Sequence, residues 1–112
     1  MSVNYKQLDR INKTLEGFPS AKLQIVTKNR DIKTIKELIE KGYSLFGENK
    51  VQEANEKFKD LNTSNIDLHL IGPLQTNKVK PALHLFNTIQ SIDREKLVNE
   101  IVKVKNKSEI KT

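Results

Sequence analysis

With 112 residues, a formal net charge of +6 and 30% charged residues, the chain has the length of one small domain and no apolar run approaching the ~20 residues that a membrane-spanning helix requires. It contains no cysteine, which excludes a disulfide framework, thiolate chemistry and cysteine-based metal sites. Aromatic content is 5% with no tryptophan, so the core must be built mainly from isoleucine, leucine and valine.

The first element is a helix from about Asn4 to Glu16, with Leu8, Ile11 and Leu15 at helical spacing and Tyr5 extending the stripe. Gly17 suits its C-cap, and Pro19 prevents continuation. A strand follows at Leu23–Thr27, ending in Lys28. Asp31 is placed to cap a second helix in which Ile32, Ile35, Leu38 and Ile39 share one side, closed by Gly42. Tyr43–Phe46 reads as a second strand that ends at Gly47-Glu48-Asn49. Asn49 and Gln52 have the spacing of a capping box, so Asn49 is expected to start a third helix with Val51, Ala54 and Phe58 buried.

A polar turn at Asn62–Asn65 leads to a third strand, Ile66–Ile71. Its alternation puts Ile66, Leu68 and Leu70 on one face and Asp67, His69 and Ile71 on the other. Gly72-Pro73 ends it. Leu74–Lys80 reads as a short helix or helical turn stopped by Pro81, and Phe86–Gln90 as a fourth strand. Asp93 can cap a last helix with Leu97, Val98, Ile101 and Val102 inward; after Lys103 the pattern dissolves into a basic tail.

A leading helix followed by four strand–helix units implies parallel strands joined by right-handed crossovers. Two α/β architectures fit this rhythm: an open sheet, or part of an eight-stranded TIM-type (β/α)8 barrel. A complete barrel takes roughly 250 residues, so the chain would supply about half of one. Pattern alone does not choose.

Polar residues gather where the strands end: Lys28, then Glu48 and Asn49, then His69, then Ser91. In a parallel sheet these ends share one edge, the edge where chemistry is placed. A lysine there, with its stem packed and its amine at the opening, can attack a carbonyl. Each residue also has a plainer role. Lys28 can be a solvated strand end, Glu48 a solvated loop acid, Asn49 only a cap, and His69 a hydrogen-bonded interior side chain. His69 and His84 have no nearby histidine or cysteine partner, so no metal site is expected. Gly72 to Lys78 can offer backbone N–H groups and a basic side chain to an anion, or be an ordinary tight connection. Lys103, Lys105, Lys107 and Lys111 oppose only Glu109 at the end of the chain. Such charge attracts phosphates of any kind, but zinc-finger spacing, aromatic–basic interleaving and a helix-turn-helix pattern are all missing, so no specific nucleic-acid partner is expected.

Four segments in order carry a resemblance. Val26-Thr27-Lys28, Phe46-Gly47-Glu48-Asn49-Lys50-Val51-Gln52-Glu53, His69-Leu70-Ile71-Gly72-Pro73-Leu74-Gln75-Thr76-Asn77-Lys78 and Ser91-Ile92-Asp93-Arg94 resemble the matching segments of the pyridoxal-phosphate homeostasis proteins. These are single-domain relatives of the alanine racemase N-terminal barrel. The likeness runs from the first helix to about Val102, and 1–112 would then be one partial barrel domain with a tail at 103–112.

The resemblance implies that Lys28 forms the internal aldimine with pyridoxal 5'-phosphate and that Asn49, His69 and Asn77 line the cofactor side. It implies a carrier or homeostasis role touching amino- and keto-acid balance, without efficient catalysis; the lack of cysteine, of a membrane-length apolar run and of an apolar N-terminal region separately leads to the expectation of a cytoplasmic protein. Thr27 stands where the family commonly has serine, and Asn29-Arg30-Asp31 where it often has Thr-Lys-Pro. The family's later strands, with the Gly-Met-Ser segment that grips the cofactor phosphate, have no counterpart in these 112 residues. The expectation is therefore a truncated family member with open barrel edges, prone to self-association. The alternatives are a racemase-type enzyme, which needs an acid or base opposite Lys28, and an inactive structural fragment.

Overall fold

The computed structural model describes residues 3–106; the expectations for Lys107, Glu109 and Lys111 in the basic tail lie outside the described residues. Helix α1 (Tyr5–Leu15) begins where the Asn4 side chain accepts a hydrogen bond from the Gln7 amide. It ends at Glu16 in right-handed geometry, so Gly17 is not the cap. Its apolar stripe is only half-buried. The Tyr5 hydroxyl donates to Glu37 on the next helix at 2.6 Å, and Asn12 donates to the Tyr43 hydroxyl at 3.0 Å.

Strand β1 (Ile25–Val26) is shorter than its extended sequence suggests, because it has a single neighbour on which to form a ladder. Helix α2 (Ile32–Glu40) is capped as expected, with the Asp31 carboxylate accepting from the Thr34 amide at 2.9 Å. Gly42 follows at φ +96°, a left-handed conformation that glycine adopts without penalty.

Strand β2 is Leu45–Glu48, two residues later than the apolar run implies. Gly47 and Glu48 belong to the ladder: Gly47 is in register with Val26 on one side and His69 on the other. Helix α3 (Val51–Phe58) starts at Lys50 with no side-chain cap, so Asn49 does not form the expected capping box. Val51, Ala54 and Phe58 are buried as expected.

Strand β3 (Asp67–Leu70) alternates as its sequence requires, with Leu68 and Leu70 buried and Asp67 exposed. A 3₁₀ turn at Thr76–Lys78 leads into α4 (Val79–Leu85). Pro81 does not stop a helix here. It occupies the third position of α4, where the backbone N–H has no intrahelical acceptor to lose. Strand β4 is Thr88–Ile89, and α5 is Glu95–Lys105 with Arg94 at its N-cap instead of Asp93. The α5 stripe is Leu97, Ile101 and Val104. Val98 and Val102 are 42% and 51% exposed, contrary to the sequence reading. The helix also continues past Lys103, because Val104 reaches the core and extends the stripe by one turn.

The strands form one parallel four-stranded sheet in the order β1-β2-β3-β4. One face carries the core: Phe46, Leu68, Leu70 and Phe86 pack against Ile35, Leu38, Ala54, Phe58, Val79, Leu83 and Leu97 of the helices. The Phe46 and Phe58 rings meet tilted, with centroids 6.2 Å apart. The opposite face holds Val26, Asp67, His69, Thr88 and Gln90, none of them buried. This is the arrangement of four consecutive β/α units of a barrel, with the helices outside and the barrel-facing side open.

Candidate functional site

The register defines the open face. Val26, Gly47, His69 and Thr88 lie side by side across the four strands. Side chains alternate along a strand, so Lys28, Asn49, Ile71 and Gln90 follow two residues on, at the C-terminal edge of that same face. Burial agrees: Val26 and Lys28 are exposed on either side of the fully buried Thr27. Lys28 therefore stands at the expected edge. Its side chain is exposed, not packed along its stem as expected, because no element among the described residues covers this face.

His69 is half-buried and held from both nitrogens. Nε2 lies 3.0 Å from Asp67 Oδ1, and Nδ1 lies 3.0 Å from Gln90 Nε2. The Gln90 amide nitrogen is a donor, so in this arrangement Nδ1 accepts and Nε2 donates to Asp67. The ring is thereby fixed over the open face. Gln90 does what no sequence motif assigned to it, and its signal was its place at the end of the fourth strand.

Asn49 lies in a cavity of about 580 Å³ between the β2–α3 and β3–α4 connections, together with Lys50, Gln52, Ile71, Gln75 and Lys78. Gly72 forms its floor. A Cβ at Gly72 would stand 2.3 Å from the Asn49 carbonyl oxygen, so only glycine permits this approach of the two loops. Lys28, His69 and Asn77 do not line the cavity. Asn77 is exposed on the 3₁₀ turn. The structure thus places Lys28, Asn49 and His69 on one face, with Asn77 exposed on the β3–α4 connection, whose Gln75 and Lys78 line the cavity beside Asn49.

Glu48 departs most from expectation. It is not a solvated loop acid but a fully buried strand residue. Its Oε2 accepts from the Thr27 hydroxyl and from Lys57 Nζ, the latter at 2.9 Å. Lys57 also donates to the Thr27 carbonyl at 2.6 Å and reaches Glu53 Oε1 at 3.3 Å. Glu53 in turn accepts the Asn29 backbone N–H at 2.7 Å. That bond, with the Lys57 charge adding to it against partial burial, holds the Glu53 carboxyl below its ordinary value. A period-two reading of β2 contains the signal for Glu48, since it shares a face with the buried Phe46. Lys57 carries no such signal, because its four-residue spacing from Glu53 is a common surface pattern.

Chemically, the edge offers an exposed primary amine, a fixed imidazole and amide groups, with Lys50 and Lys78 at the adjoining cavity. An amine of this kind fits an aldehyde-bearing ligand. Among the described residues no cluster of three histidine, cysteine or acidic side chains could hold a metal ion, and no helix is long and apolar enough to cross a membrane.

No family model matches the chain. A pyridoxal phosphate homeostasis protein of Aquifex aeolicus is 39% identical over 100 residues, covering 86% of this chain and 44% of that protein. One from Buchnera aphidicola subsp. Acyrthosiphon pisum is 44% identical over 73 residues, covering 64% of this chain and 36% of that protein. PipY of Synechococcus elongatus PCC7942, solved with PLP bound, superposes with a TM-score of 0.72 at 31% identity, covering 88% of this chain and 47% of PipY. The same protein without PLP gives 0.77 at 33% identity, covering 90% of this chain and 46% of PipY. The chain therefore spans less than half the length of these relatives.

Proposed function

Because the chain belongs to the pyridoxal phosphate homeostasis protein family, we propose that it takes part in intracellular handling of pyridoxal 5'-phosphate and holds the cofactor through Lys28. The observation that carries this reading is the position of Lys28: an exposed amine at the C-terminal edge of β1, on the face shared with His69 and Asn49. When bound, the cofactor supplies an electrophilic aldehyde and an electron-accepting ring. The chain's own residues have three tasks. Lys28 provides the nucleophilic amine, and its backbone sets the distance from which that amine approaches. His69, pinned by Asp67 and Gln90, presents a fixed ring edge to whatever lies on the face. Asn49 and Asn77 are the further cofactor-side residues of the proposal. The Asn49 backbone packs closely against Gly72, while Asn77 stands exposed on the β3–α4 connection.

The same reading treats residues 1–112 as one partial barrel domain, places it in the cytoplasm, and gives it amino or keto acids as further small-molecule partners. It also expects self-association. The β1 and β4 edges each have one strand neighbour, and Val26 is 43% exposed on the uncovered face. A racemase-type reaction needs a base facing Lys28. Tyr5 donates to Glu37, which with partial desolvation pushes its hydroxyl up to about 12, and the Tyr43 hydroxyl accepts from Asn12. Both tyrosines are thus engaged with α1 and α2, away from the strand ends.

Absorbance titration tests the proposal. Because the segment that grips the cofactor phosphate has no counterpart in these 112 residues, wild-type chain should show only a weak band of lysine-bound pyridoxal 5'-phosphate, and Lys28→Ala should lose it. An unchanged band in Lys28→Ala would contradict the assignment.

A further inference from the structure

We propose that Glu48, Lys57 and Glu53 form a clamp that positions Lys28, an inference that rests on the cofactor reading of that lysine. Lys28 is exposed, but both of its neighbours are fastened. Thr27, fully buried, donates its hydroxyl to Glu48 and accepts Lys57 Nζ on its carbonyl at 2.6 Å. Asn29 donates its backbone N–H to Glu53 at 2.7 Å. Lys57 joins the two carboxylates, at 2.9 Å and 3.3 Å. The Arg30 amide closes the turn onto the Thr27 carbonyl at 3.0 Å. Asn29 sits at φ 59°, a left-handed conformation that asparagine tolerates better than most residues. The Lys28 backbone is therefore held between two anchors on β2 and α3.

Stability alone is a weak account of this network. Burying a carboxylate and an ammonium is often no better than burying an apolar pair of the same volume. Glu48 is fully buried, Lys57 is 11% exposed, and Glu48 Oε1 has no hydrogen-bond partner among the described residues. The hydrogen bonds of the three charged side chains converge on the two residues that flank Lys28. A reactive amine on a flexible stem gains most from a backbone fixed in this way.

The test uses the full chain and three variants. Thr27→Val keeps the shape and removes the hydroxyl, Thr27→Ser keeps the hydroxyl, and Glu53→Ala frees the Asn29 amide. Two readouts are taken: amide hydrogen exchange at Asn29 and Arg30 without cofactor, and the share of borohydride-fixed pyridoxal 5'-phosphate carried by Lys28 against all other lysines. Thr27→Val and Glu53→Ala should each speed exchange at these amides by about tenfold and cut the Lys28 share several-fold. Thr27→Ser should behave as wild type. Unchanged exchange overturns the clamp, and so does faster exchange with the Lys28 share intact. If Thr27→Val does not fold, Glu53→Ala, at a partly exposed position, decides alone. Wild-type adducts scattered over the lysines would instead overturn the cofactor reading. The two failures are distinguishable because exchange needs no cofactor.

Discussion

A carboxylate at position 48 had two readings in sequence, and a single alternation separates them. Phe46 is buried toward the helices, so Glu48, two residues on, must face the same way. What the sequence does not display is the partner: Lys57 lies on another element and is indistinguishable from the chain's many solvated lysines. Glu53 adds a pH dependence. The Asn29 amide, aided by Lys57 and opposed by partial burial, lowers its carboxyl from the ordinary 4.5. The folded state then binds fewer protons than the unfolded one around and below that value. The contribution of Glu53 is present above 4.5 and is lost as pH falls through the lowered value. Glu53→Gln should therefore flatten part of the acid limb of stability against pH, while leaving the slope above pH 4.5 unchanged; superimposable acid limbs would contradict this. At Gly72 the expectation is steric. Gly72→Ala places a methyl group against the Asn49 carbonyl and should cost about 1–3 kcal/mol in denaturant unfolding.

At the level of elements, caps discriminate between the two roles open to Asn49. Asp31 accepts the Thr34 amide, so Asp31→Ala should cost about 1 kcal/mol. The start of α3 has no side-chain cap, so Asn49→Ala should change stability by no more than about 0.5 kcal/mol. A loss at Asn49 equal to that at Asp31 would restore the capping role. Helices α1, α2 and α3 were legible because three- and four-residue apolar spacing survives any tertiary context. In helix α5 the adjacent apolar residues of Leu97-Val98 and Ile101-Val102 fit two overlapping stripes, and only Leu97, Ile101 and Val104 meet the core. Pro81 misled because a proline ends a helix from within but is harmless in its first turn. The strands were found in order yet not in extent, since ladder length depends on neighbours that a linear sequence does not show.

The whole molecule is a slab. Its radius of gyration, 15.3 Å, exceeds the ~13 Å of a closed domain of this length. Its core lies on one face of the sheet only, so an open sheet and part of a barrel look alike in hydrophobic pattern; the segment motifs, not the periodicity, pointed to the barrel. The residues that the motifs singled out, Lys28, Asn49 and His69, share one face, while Asn77 is exposed on the β3–α4 connection. The open face and the single-neighbour edges of β1 and β4 should make sedimentation depend on concentration. Val26→Lys, which places a charge on the uncovered face, should shift the chain toward monomer; a wild-type chain that stays monomeric at all concentrations would contradict that expectation.

Lys28, proposed as the cofactor lysine, is open to a direct chemical test. The direct measurement is to saturate the chain with pyridoxal 5'-phosphate, fix the link with borohydride and locate the added mass by peptide mapping. A single adduct on Lys28 is the predicted result. Modification spread over the lysines in proportion to their exposure would contradict it.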